Sequence, residues 1–134
     1  MFSKRMILQG SLMLGFAIVI SQIPLFNYLG YEFSAAIALL LPFVVGLFTI
    51  KLFRDKFPDS RAMSTRDFLS TALEAIREGF LLLLLPFIVA TVNTLFVKNC
   101  AYGEGVLLYL LLPEVTLIWI TALSSFCFVV AGRP

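Results

Sequence analysis

Residues 79–97 read GFLLLLLPFIVATVNTLFV. The run carries no charge and comes close to the ~20 apolar residues that a helix needs to cross the ~30 Å hydrocarbon of a bilayer. Its context supports that reading. Of the 134 residues, 60% are hydrophobic and 13% charged, where a soluble domain carries about 25% charged residues. A chain of this length folded in water could not hide that much apolar surface.

Three more runs have the same character: about Met6–Ile23, Ser34–Phe53 and Val106–Ala131. The first follows a basic start, MFSKR, as a signal peptide would. No small-residue cleavage site separates it from the next apolar run, which predicts a retained helix. The fold class expected is all-α: one integral membrane domain over residues 1–134 with four transmembrane helices, antiparallel in chain order. Pro42, Pro86 and Pro113 fall inside the second, third and fourth spans. Proline removes a helical hydrogen bond, and in a bilayer neighbouring helices make good the loss. The reading is three kinked helices, since no paired polar or glycine-rich breaks accompany the prolines.

Basic residues set the orientation. Lys4, Arg5, Lys51, Arg54, Lys56, Arg61, Arg66, Arg77 and Arg133 lie at the N-terminus, in the middle connection and at the C-terminus, and only Lys98 lies in the other two connections. The positive-inside rule then places both termini and the middle loop in the cytoplasm, in a plasma (inner) membrane. Tyr28, Tyr31, Tyr102 and Tyr109 gather at the opposite surface, where amphipathic rings suit the interface.

The middle connection has internal order. Ser64 and Asp67 have the spacing of a capping box, with Asp in place of Glu or Gln. Leu69, Ala72, Leu73, Ile76 and Phe80 recur at helical spacing after it. The third helix is therefore expected to begin near Thr65 with an amphipathic lead-in at the cytoplasmic face. Glu74, Arg77 and Glu78 lie on that lead-in. They form either a solvated charged face, with Arg77 offsetting two like charges one turn apart, or a docking face for a cytoplasmic partner.

Inside the spans, Glu114 stands out in LLLPEVTL, residues 110–117. Two placements are open. A helix starting near Leu112 gives Pro113 and Glu114 its first turn, where proline and an acid both suit the end, and Glu114 sits shallow at the outer interface. A helix entering at Val106 puts Glu114 about 12 Å deep, where a charge costs about 2.5–3.5 kcal/mol. Asn93, near the outer end of the third span, is its expected partner. A bond between them is either glue worth about 0.6–2 kcal/mol or part of a proton or cation path. Gln9 raises the same question more weakly. Cys127 reads as a packing residue and Cys100 as a loop thiol too far away to pair with it.

Several function classes drop out. With no histidine, the commonest metal ligand and proton shuttle is missing. Two cysteines make neither a disulfide framework nor a CxxC pair. A net charge of +2 with locally mixed signs does not argue for nucleic acid. No nucleotide loop, metal cluster or nucleophile with a base is present, no cofactor is indicated, and no motif carries a family resemblance. The expectation is a non-enzymatic accessory or structural subunit, with membrane lipids and other membrane subunits, or copies of itself, as partners. Two alternatives stand beside it. One is an oligomeric transporter or channel using Glu114 and Asn93. The other is the membrane anchor of a longer protein, since the sequence stops directly after a span.

Overall fold

The computed structural model describes residues 4–26, 29–58, 63–96 and 101–131, and among these it is all-helical. The elements are α1 (Lys4–Ser21), α2 (Tyr31–Leu41), a π-helical turn (Pro42–Gly46), α3 (Leu47–Lys56), α4 (Thr65–Asn93) and α5 (Tyr102–Ala131). The π turn joins α2 to α3 as one 26-residue rod. Three helices are long and apolar enough to cross a membrane: that rod, the 29 residues of α4 and the 30 of α5. Helix α1 is apolar but shorter, about 27 Å at 1.5 Å per residue.

Expected spans and observed helices agree in number and order, and they differ at the ends. Helix α5 begins at Tyr102 and runs without a break through Pro113. It does not start near Leu112, because a proline-loosened turn continues the helix when its neighbours pack around it. The start of α4 is where the capping box put it: the Ser64 side chain caps the first turn and the Asp67 carboxylate accepts from the Ser64 amide.

Chain reversals make α1 parallel to α4, and the α2–α3 rod parallel to α5. Along the second pair the register is continuous. Gly105 meets Leu29, the Phe33 ring packs on Tyr109, Gly46 abuts Ile120 and Ser124, and Phe53 packs on Phe128. Two helical hairpins thus lie side by side, each helix beside its parallel counterpart. Gly10 of α1 sits against Leu82 and Leu85. The first turn of α1, six residues earlier, therefore ends near the level of Arg77. Beyond it α3, the start of α4 and the last turns of α5 continue as a three-helix extension.

Small residues decide which faces meet. The buried face of α4 carries Thr71, Ala75, Gly79, Leu82, Leu83, Pro86 and Ala90. Leu69 and Leu73, on the apolar stripe of the lead-in, are more than half exposed. Small side chains on the buried face let the backbones of neighbouring helices come close, while the large apolar residues of the lead-in stay outside. A Cβ on Gly79 would stand 2.3 Å from Leu117 Cδ1. Where α3, α4 and α5 meet, Thr49, Thr71, Thr121, Ser124 and Ser125 are all buried. Thr49 and Ser125 return their hydroxyl hydrogens to their own helices, on the carbonyls of Val45 and Thr121. They pack as small residues with their polarity spent locally. Cys127, expected among the packed residues, is exposed.

The two glycines at the start of α5 give a paired test. A Cβ at Gly105 would lie 1.9 Å from the Leu29 carbonyl oxygen, while one at Gly103 meets nothing. Gly105→Ala is expected to lower stability by about 1–3 kcal/mol through overpacking, and Gly103→Ala to leave it unchanged or slightly raised. Unfolding of detergent-solubilised protein followed by circular dichroism distinguishes them; equal effects would contradict the close approach of α5 to the Leu29–Gly30 turn.

Candidate functional site

Each proline that interrupts a rod leaves backbone carbonyls to be satisfied. Pro42 has no N–H to offer the carbonyl one turn before it, and the backbone widens into the π turn. Gln9, reaching across from α1, donates Nε2–H to the Val44 carbonyl inside that turn at 3.1 Å. The Gln9 side chain is buried, and its Oε1 has no hydrogen-bond partner. Pro86 likewise withholds an N–H from the Leu82 carbonyl, while α4 stays α-helical through it. The Tyr109 hydroxyl donates to the Leu83 carbonyl in the preceding turn at 2.7 Å. The ring of Tyr109 is held between Phe87 (5.4 Å between centroids) and Phe33 (6.3 Å). At Pro113 the following turn carries its own donor: Thr116 Oγ1 donates to the Leu112 carbonyl at 2.7 Å.

Tyr109 is therefore not part of an outer aromatic belt. It lies seven residues inside α5 and is 3% exposed. Tyr31 is exposed, and Tyr102 pairs its hydroxyl with Thr91 Oγ1 at 3.1 Å. Tyr28 lies outside the described residues, as do Arg61, Lys98, Cys100 and Arg133.

Next to Tyr109 is a small cavity between α4 and α5. Its volume is about 90 Å³, and it is lined by Phe80, Leu83, Leu84, Phe87, Tyr109, Leu110 and Glu114. Glu114 is the one ionisable carboxylate on it. A second, larger groove of about 490 Å³ runs between α1 and α4, walled by residues including Met6, Gly10, Leu14, Leu81, Leu85 and Ile88. Leu84 lines both.

Glu114 and Asn93 do not meet. Glu114 shares its cavity with Phe80, whereas Asn93 is the last residue of α4, thirteen positions further on and so about 20 Å along the axis. The polar contacts between α4 and α5 come instead from Thr91–Tyr102 and from Tyr109 on Leu83. Glu114 lies twelve residues into α5, neither in its first turn nor at its outer end. On the lead-in of α4, Glu74 forms an ion pair with Lys56 of α3, with both side chains about two-fifths exposed. A pair that open to water contributes at most about 1 kcal/mol. Arg77 is exposed and Glu78 half-buried, so Glu74 is engaged within the chain while Arg77 faces outward. Among the described residues no group of three metal-ligating side chains occurs.

Tyr109 as a donor and Gln9 as a cross-link escaped the sequence reading. The usable signal was the prolines themselves: each withholds a backbone donor, and few apolar-span residues carry a side-chain donor that could bond nearby. No protein-family model matches the chain, and neither a curated protein nor a solved structure does.

Removing the two donors tests their roles. Tyr109→Phe is expected to destabilise by about 1–3 kcal/mol, the cost of leaving a buried carbonyl unmet. Gln9→Leu is expected to cost less, about 0.6–2 kcal/mol, because it also removes the unmatched Oε1. Unfolding in mixed micelles measures both; a Tyr109→Phe protein as stable as the parent would contradict the hydroxyl's role.

Proposed function

We propose that the chain is a small polytopic membrane protein whose four helical rods all cross the bilayer, acting as a non-catalytic packing subunit in a plasma (inner) membrane assembly. The length of α1, about 27 Å, suits the ~30 Å hydrocarbon, and its first turn is level with Arg77. On this reading the end of the bundle that carries Arg54, Lys56 and Arg66 faces the cytoplasm together with both termini. The observation that carries the subunit reading is how the intramembrane polar groups are used. Gln9 and Tyr109 are engaged by the chain's own backbone. The outward faces are apolar: Ile7, Leu8 and Val19 on α1, and Val115, Ile118 and Trp119 on α5 are each more than half exposed. Such faces fit lipid or neighbouring helices. Purification in mild detergent followed by mass analysis tests this. Other polypeptides are expected to accompany the chain in fixed proportion; a lone monomer or homo-oligomer would contradict the accessory role.

A second reading, transport, is favoured by one feature, the carboxylate on the cavity between α4 and α5. An ionisable group at that depth is rare without a use. If Glu114 carries a proton or cation, Glu114→Gln abolishes coupled flux in sealed vesicles; undiminished flux removes the transport reading.

A further inference from the structure

The Glu114 cavity and the α1–α4 groove are two compartments on either side of one side chain, Leu84. Their chemistries differ. The cavity brings three aromatic rings, Phe80, Phe87 and Tyr109, to the same small space as a carboxylate. Among the described residues no cation pairs with Glu114, and the Tyr109 hydroxyl is already committed to Leu83. A carboxylate among aromatic rings suits a soft organic cation: the ring quadrupoles attract it, with more effect once water is excluded, and the carboxylate supplies the countercharge. At about 90 Å³ the cavity is well below the ~300–1,000 Å³ of sites that hold a whole drug-sized ligand, so it takes a head group only. The groove across Leu84, about 490 Å³, is within that range. Its walls are Met6, Ile7, Gly10, Leu14 and the leucines of α4, with Ser11 the one hydroxyl, and Ser11 donates to Ile7 of its own helix.

We propose that these two compartments form one binding site for a free single-chain amphiphilic cation, its alkylammonium head against Glu114, Phe80, Phe87 and Tyr109, and its alkyl chain across Leu84 in the α1–α4 groove. The site depends on the cavity and not on transport: a chain that binds such a molecule without moving it keeps this inference and loses the transport reading.

The probe is dodecyltrimethylammonium, titrated calorimetrically into the full chain in dodecyl maltoside micelles, with empty micelles subtracted. Saturable binding is expected against the excess of uncharged maltoside, because the same chain without the cationic head lacks the carboxylate's attraction. Glu114→Gln, which keeps the shape, is expected to weaken binding at least ten-fold with helicity unchanged. Phe87→Leu is expected to weaken it several-fold. Tetramethylammonium, a head without a tail, should bind at least ten-fold more weakly than the dodecyl compound, and Leu84→Trp should weaken the dodecyl compound by filling the passage. Equal binding by wild type and a folded Glu114→Gln protein would overturn the site. So would the absence of saturable binding in wild type. Displacement by added phosphatidylcholine would overturn the assignment to a free amphiphile, because the lipid's own trimethylammonium head would then be the occupant.

Discussion

A backbone carbonyl that loses its helical partner in hydrocarbon has no water to turn to. Three prolines inside three long apolar rods withhold an N–H from the carbonyls of Ala38, Leu82 and Tyr109, and close to two of the prolines a side chain from another helix bonds the backbone. Gln9 of α1 reaches the widened turn after Pro42. Tyr109 of α5 reaches the turn before Pro86. Each donor ties together helices that follow one another in the chain: α1 to the α2–α3 rod, and α4 to α5. The same two side chains that could have lined a polar path through the bundle are thereby committed to holding it together.

Close packing completes the work. In a bilayer, apolar contact between helices would gain little over contact with lipid, so dispersion and backbone approach would decide the pairing. Gly46, Gly79 and Gly105 each leave space that a Cβ would find taken, by Ile120, by Leu117 and by the Leu29 carbonyl respectively. The large leucines of α4 are consequently split. Leu82 and Leu83 are buried, whereas Leu81, Leu84 and Ile88 are exposed, and all five line one or both compartments. Packing and the candidate site thus share one helix.

Much of this was legible in the sequence. Length and apolarity gave the rods, and Ser64 with Asp67 gave the start of α4, because capping is local chemistry. What failed were inferences that needed a neighbour. The apolar stripe of Leu69 and Leu73 was legible, but which face of α4 would be buried was not. Thr71, Ala75 and Gly79 took that face because close helix approach favours small residues. Tyr109 looked like an interfacial ring because its position was counted from a helix start at Leu112; with α5 starting at Tyr102, it falls deep in the bundle. The Glu114–Asn93 pairing failed for the same reason, since a ten-residue error in where a helix begins shifts its partner by about 15 Å. The cavity around Glu114 is a property of two helices in register and has no signature on either one alone.

The whole account depends on the turns around Pro42 and Pro86 being dry. Spin labels placed singly at Leu84 and Ile88 of α4 and at Arg66 in its first turn, in lipid bilayers, report this through collisions with oxygen and with a water-soluble nickel chelate. Oxygen-dominated relaxation at Leu84 and Ile88, with nickel-dominated relaxation at Arg66, is the pattern predicted. Nickel access at Leu84 and Ile88 equal to that at Arg66 would mean that water surrounds these helices, and the physical basis for the fold described here would be gone.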